Sequence, residues 1–166
     1  MEERPKITIE LTGTDKIIEM ASWFLLVAVW VFTLMKYMEL PDTIPVHYDS
    51  SGRVNDYGSK STLLLLPAIG TIMAIGLTVL NKYPHVFNYP KKITPENALE
   101  QYTNATRMIR FLNLSTTLVI GIVVLMIVRD SSNETVQPGG GMIIMILVFT
   151  IIFLPLIYFT AKAFRY

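Results

Sequence analysis

The chain has 166 residues, of which 52% are hydrophobic, and its formal net charge is +1. Its mean hydropathy of +0.46 is too high for an ordinary water-soluble domain. The lack of cysteine excludes disulfides, thiolate metal ligands and a cysteine nucleophile, and the near-neutral charge argues against attraction to nucleic acid.

The apolar residues are clustered in runs at residues 20–38, 61–81, 106–128 and 141–162. A helix of roughly 18–21 residues is about 27–32 Å long, which matches the ~30 Å hydrocarbon core of a bilayer. No run alternates like a barrel strand, and three of the runs have no charge across their middles, unlike the helices of a soluble bundle. We therefore predict an all-α fold, a membrane-spanning four-helix bundle that forms a single domain over residues 1–166.

The Lys and Arg residues predict the orientation. Of 14 in total, ten lie in or beside the N-terminal tail (1–14), the second loop (82–105) and the C-terminus, and four lie in or beside the other two loops. Positive charge favours the cytoplasmic side. We expect both termini in the cytoplasm, the first loop (39–60) outside, and the bacterial cytoplasmic (inner) membrane as the location. The acidic tail argues against a cleaved signal peptide.

The ends of two helices can be read from capping signals. Residues Lys6–Leu11 alternate apolar with polar side chains, which predicts a short strand or an extended segment. Thr14 or Asp15 can cap the helix that follows. Thr94 followed by Pro95 predicts a helix start, and this helix is expected to continue through the third run for about 34 residues.

The first loop is rich in turn-forming residues and is expected to form an ordered hairpin on the outer membrane face. Prolines end the first helix and favour extended backbone, and Asp49–Gly52 fits a type I turn. Ser59 or Ser61 can cap the second helix. The residues expected to set the shape of the loop are Pro41, Pro45, Gly52, Gly58, Ser59 and Lys60.

Polar residues in this loop are the candidate site. His47 and Asp49 lie two apart, so both would share one face of an extended strand. A structural His–Asp hydrogen bond is the favoured interpretation, ahead of peptide or small-ligand binding and then of a metal held with Asp56. Arg53 and Lys60 can meet lipid phosphates or pair with these acids. The candidate ligand-binding residues are His47, Tyr48, Asp49, Arg53 and Asp56.

No motif points to catalysis. The loop serines have no nucleophile-elbow setting, and we predict no enzyme activity, no cofactor and no metal.

Gly70 and Ala74, four residues apart, permit close helix approach. Asn113, Thr116 and Thr117 share a helix face, where interhelical hydrogen bonds are favoured over a polar cavity. No Asp or Glu lies inside a run, which argues against ion-coupled transport.

The first loop also carries a recognisable block. It reads Leu40-Pro-Asp-Thr-Ile-Pro-Val-His-Tyr-Asp-Ser-Ser-Gly52 and closes with Asp56-Tyr-Gly-Ser-Lys60. This block resembles the N-terminal membrane domain of unknown function in SdpI-type bacterial immunity proteins, and the chain is expected to be a short four-helix relative of them. The resemblance implies immunity against a secreted toxic peptide and relay of its presence to a repressor.

The leading hypothesis is non-enzymatic recognition of a peptide or envelope component through the outer loop. One alternative is a structural or assembly subunit, in which the hairpin clamps the helices and a stripe on helix three meets another membrane protein. The stripe comprises Ala98, Leu99, Tyr102 and Ala105. A second alternative is a small permease or channel built as a homo-oligomer. The expected partners are the lipid bilayer and a peptide or membrane protein.

Overall fold

A computed structural model describes residues 4–49, 52–132 and 140–165. In chain order they form α1 (Gly13–Tyr37), β1 (Thr43–Tyr48), β2 (Val54–Ser59), α2 (Leu65–Leu80), α3 (Ala98–Ser132) and α4 (Gly140–Ala163). Short 3-10 turns at Lys60–Leu64 and Pro84–Val86 precede and follow α2. The predicted all-α architecture with a small hairpin between the first two helices is confirmed.

The helices make this a multi-pass membrane protein. The described residues contain four helical stretches that are long and apolar enough to cross a bilayer, of 25, 21, 35 and 21 residues. A helix satisfies its backbone hydrogen bonds internally, which the hydrocarbon core requires of any spanning segment. The hairpin lies at one end of the bundle, called here the hairpin end. The N-terminal tail and the end of α4 lie at the other, called the terminal end.

Helix α3 is the centre of the bundle. Helices α1 and α2 pack on α3 and on each other, whereas α4 packs mainly on α3 alone. Near the terminal end, Asn104 Nδ2 donates to the carbonyl oxygen of Phe159 at 2.9 Å, and Gln101 Nε2 donates to that of Ala163 at 3.1 Å. These bonds fix the start of α3 against the end of α4 and leave the other faces of α4 for lipid.

The apolar core lies in the hairpin half of the bundle. It contains Leu63 before α2, Val29 in α1, and Val124, Ile127 and Val128 in α3. A hydrogen bond also joins α1 to α2: Trp30 Nε1 donates to Thr71 Oγ1 at 2.9 Å. The core therefore joins all three helices beneath the hairpin.

Small residues let α2 approach this core closely. A Cβ atom added to Gly70 would lie 2.8 Å from Ile120 Cδ1, and Ala74 is buried. A Cβ added to Gly121 of α3 would lie 3.1 Å from Val29 Cγ2. A larger side chain at either glycine would push neighbouring helices apart. Small residues at such positions allow the close approach on which helix association in lipid depends.

Two predicted helix starts are shifted. Thr12, rather than Thr14 or Asp15, caps α1, and the Asp15 carboxylate completes a capping box by accepting the Thr12 N–H. Helix α3 begins at Ala98 and not at the predicted Thr94–Pro95, which precede the helix. Its length of 35 residues confirms the prediction of one long helix. Residues 4–12 have no regular secondary structure and pair in no strand within the described chain.

Replacing Gly70 by Leu should lower the free energy of unfolding in detergent by about 1–3 kcal/mol, the usual cost of overpacking. The physical reason is the 2.8 Å approach of its added Cβ to Ile120. Gly76→Leu is the matched control, since a Cβ at Gly76 meets nothing within 4 Å. Thermal unfolding of the two variants measures the difference, and equal melting temperatures would contradict the close contact.

Candidate functional site

The hairpin is closed by a turn that its own side chains stabilise. The backbone N–H of Asp49 donates to the carbonyl oxygen of Arg53 at 2.8 Å, and that of Gly52 donates to the carbonyl oxygen of Asp49 at 2.9 Å. Gly52 has a φ of 76°, a conformation that favours glycine. The Asp49 carboxylate accepts the N–H of Arg53 at 2.9 Å. Asp49 therefore has a structural role in the turn.

The inner face of the hairpin is buried against the helices. Ile44 is fully buried and packs in the same cluster as Leu40, Leu63 and the last turns of α3. Val46 lies over Gly58 of the opposite strand, where a Cβ would approach Val46 Cγ1 to 3.0 Å. Burial on one face prevents the small sheet from sliding or turning over.

Lys60 ties the base of the hairpin to α1. Its Nζ lies 3.1 Å from Asp42 Oδ1, donates to the carbonyl oxygen of Leu40 at 3.3 Å and stands 5.4 Å from the ring centre of Tyr37. The expected pairing of Lys60 with Asp49 or Asp56 is wrong, because those acids lie elsewhere on the hairpin. Ser59 caps the turn before α2 by accepting the N–H of Ser61, as predicted.

A buried acidic group lies under the hairpin at the end of α3. The Asp130 side chain is only 3% exposed, and its Oδ1 accepts from Arg129 Nε at 2.7 Å. Burial and, after it, the nearby Asp130 carboxylate raise the pKa of Tyr48, so this phenol stays neutral. The two groups fall short of a formed hydrogen bond, since Tyr48 Oη and Asp130 Oδ2 both have no partner among the described residues.

The outer face carries the exposed candidates. His47 of β1 lies opposite Asp56 of β2, and irregular register on both sides of His47 kinks the strand there. Arg53 is exposed, and Tyr57 is 60% exposed. Asp56 Oδ1 accepts the N–H of Tyr57 at 2.8 Å, which blocks that hydrogen-bonding position of β2. Recognition on this face therefore depends on side chains.

The structure thus divides the candidate residues into two sets. His47, Arg53 and Asp56 are each exposed, whereas Tyr48 packs inward and the Asp49 carboxylate closes the turn. Within the described chain no group of three or more His, Cys, Asp or Glu residues is placed to hold a metal ion. Of the remaining loop residues, Pro45 is buried and Pro41 is exposed.

Inside the bundle, Asn113 is buried in α3, and Thr117 Oγ1 donates to its carbonyl oxygen at 3.0 Å. The bond stays within one helix, so the interhelical bond expected for Thr117 is wrong. Ser22 and Thr33 of α1 likewise donate to carbonyls four residues earlier. These hydroxyls are satisfied locally and create no polar lining.

A second polar cluster at the terminal end was not among the sequence-predicted sites. Asp15 of α1 is 2% exposed and accepts from Arg107 Nε at 2.8 Å. One turn further along both helices, Arg110 Nε donates to Glu19 Oε2 at 3.3 Å. The spacing of two acids four apart and two arginines three apart is the signal that would have predicted this pairing.

Comparisons with known proteins agree with the loop block. Residues 24–71 match the family described as Domain of unknown function (DUF1648). An uncharacterized protein of Archaeoglobus fulgidus is 31% identical over 88 residues, which cover 48% of this chain and 48% of the relative. The chain thus spans about half the length of the relative it matches. No solved structure matches the chain.

Substituting Asp15 by Asn should lower the free energy of unfolding by about 1–3 kcal/mol, the range for hydrogen bonds to charged groups. The amide keeps the size of the side chain but loses its charge toward Arg107. Glu39→Gln is the matched control, because Glu39 pairs with Lys36 at the surface and exposed pairs contribute only about 0–1 kcal/mol. Thermal melting in detergent compares the two, and a larger loss in Glu39→Gln would refute the assignment.

Proposed function

We propose that this protein is a non-enzymatic membrane receptor whose hairpin recognises a peptide or another envelope component. One observation carries the proposal: the hairpin is fixed on its inner face and at its base, while charged and aromatic side chains of its strands and turn are exposed. The anchors are Ile44 and Lys60, and the presented groups are His47, Arg53, Asp56 and Tyr57.

A fixed hairpin suits recognition because little conformational entropy is lost when a partner binds. The exposed side chains of the hairpin include a basic group, an acidic group and an aromatic ring. Such a combination matches the backbone and mixed side chains of a peptide better than it matches an apolar ligand. The resemblance to SdpI-type immunity proteins supports a secreted toxic peptide as this partner. The occurrence of a relative in an archaeon leaves the bacterial location a prediction.

The path for relaying a signal in this proposal is α3. Its last turns touch the hairpin, and its first turns bind the N-terminal tail through Tyr102, whose phenol donates to the carbonyl oxygen of Pro5 at 3.1 Å. A rigid helix of 35 residues connects these contacts. A displacement of α3 at the hairpin end would therefore also move its contact with the N-terminal tail.

The assembly-subunit alternative loses its proposed surface. Ala98 and Tyr102 are buried beneath Ile9, Tyr89 and Ile93 of this same chain. Ala105 is buried as well, and of the stripe only Leu99 remains exposed. The permease alternative gains no support from Thr117, whose hydroxyl bonds to a carbonyl of its own helix. Recognition is the function that the described side chains favour.

Panning a displayed random-peptide library against the protein in nanodiscs should yield peptides that bind the outer face. We expect His47→Ala combined with Asp56→Ala to weaken an enriched peptide about tenfold or more, as loss of hot-spot side chains does. The exposed Lys16→Ala on α1 is the control and should leave affinity unchanged. Unchanged affinity in the double variant, or a lower melting temperature in place of lost binding, would contradict recognition by this face.

The proposed orientation places the hairpin outside the cell and the terminal end in the cytoplasm. The chain has no cysteine, so a single introduced thiol reports its own compartment. A membrane-impermeant maleimide should label Asn55→Cys in intact cells and label Arg165→Cys only after lysis. Both positions are exposed. Labelling of Arg165→Cys alone in intact cells would reverse the orientation. Labelling of both variants in intact cells would rule it out.

A further inference from the structure

A polar cavity lies at the terminal end, far from the hairpin. It has a volume of about 360 Å³ and is lined by residues of α1, α2, α3, the loop after α2 and the N-terminal tail. Its polar side is formed by Glu19, Asn81, Lys82 and Arg110. The tail covers the other side with Ile7, Ile9 and Leu11. The cavity is therefore amphipathic, with a net positive polar side.

Arg110 is the deepest cation in this cavity. It is 8% exposed, and within the described chain its side chain has one hydrogen-bond partner, Glu19, reached through Nε at 3.3 Å. A guanidinium has five N–H donors, so most of its hydrogen-bonding capacity remains for a ligand. A buried cation satisfied by one long bond is costly, and a second acceptor in the cavity would remove that cost.

Two neighbours add complementary groups. Lys82 follows the end of α2 and forms no ion pair with any described residue. Asn81 donates through Nδ2 to the carbonyl oxygen of Thr106 at 3.1 Å. Its Oδ1 is buried and has no partner in the described chain. The cavity thus offers two cationic donors and one unsatisfied acceptor.

The depth of the site points to the lipid headgroup region. Arg110 immediately precedes the apolar stretch of α3, and Lys82 stands two residues after the last residue of α2. Both lie where a spanning helix leaves the hydrocarbon core, at the level of the phosphates. Basic pockets between helices at this depth are suited to anionic headgroups.

We propose that this cavity binds a phosphate-bearing anion, whose oxygens accept from Arg110 and Lys82 and whose neighbouring hydroxyl or ammonium donates to Asn81 Oδ1. Arginine and phosphate form short, charge-assisted and often bidentate hydrogen bonds. The source is a phospholipid headgroup or free phosphate, since both present this chemistry. The apolar tail residues would contact the glycerol and first acyl carbons of a lipid. The inference stands independently of peptide recognition by the hairpin.

The test uses the full chain, delipidated in detergent and examined by native mass spectrometry and thermal melting. The probes are phosphatidylglycerol, a diacylglycerol with the same chains, and inorganic phosphate. We expect phosphatidylglycerol to remain bound and to raise the melting temperature, and the phosphate-free diacylglycerol to do neither. Lys82→Glu should weaken the binding of phosphatidylglycerol about tenfold, as loss of a charge-assisted contact predicts.

Lys16→Glu is the matched control, because Lys16 is exposed on α1 and does not line the cavity. Melting without added ligand checks that both variants fold. Binding of inorganic phosphate that depends on Lys82, without preference for the lipid, would identify free phosphate as the source. Equal binding of diacylglycerol and phosphatidylglycerol, equal weakening by the two substitutions, or no binding of either phosphate probe would overturn the proposal.

Discussion

Lipid gives apolar helices no hydrophobic reason to associate, so close packing and polar bonds along α3 have to hold this protein together. Helices α1, α2 and α4 all pack on α3, and the hairpin packs on its last turns. Gly70 and Gly121 bring backbones near enough for dispersion contacts to accumulate. Loss of packing along this helix would therefore release the hairpin as well as the other helices.

Charged side chains fasten the bundle at its two ends, where water and headgroups reduce the cost of burying charge. At the terminal end, Asp15 and Glu19 of α1 bind Arg107 and Arg110 of α3. At the hairpin end, Lys60 joins the base of the hairpin to Tyr37 of α1. Between the two ends, the core contains mainly apolar side chains and hydroxyl groups that donate to carbonyls of their own helix.

This arrangement explains why the loop block contains so many specific residues. Leu40, Ile44 and Lys60 are occupied in holding the hairpin to the helices, and Gly52 is needed for its turn. The exposed residues between them, such as His47, do not contact the core that anchors the hairpin. The proposed receptor surface and the anchor of the hairpin therefore use different residues of one short segment.

Local patterns made much of the fold predictable. Hydropathy located the spanning segments because the bilayer fixes their length, and prolines, Asp49 and Gly52 located the hairpin because they restrict the backbone directly. Capping at Thr12 was missed by two residues, since several neighbouring side chains can serve as caps. The structural role predicted for Asp49 in the turn is confirmed, but its carboxylate accepts the Arg53 N–H, and Lys60 pairs with Asp42. Each side chain has several candidate partners in the sequence, and only the paired strands decide which one is in reach.

The sequence by itself determined the class of protein, the long third helix and the existence of an ordered hairpin, because these follow from the solvent and from backbone preferences of nearby residues. Only the tertiary structure decided that Asp15 meets Arg107 across 92 positions of sequence, that Asp130 lies beneath Tyr48, and that Arg110 opens into a polar cavity. Such contacts depend on how helices cross and rotate against one another. That geometry arises from the packing of the whole bundle and is not recorded in any local pattern.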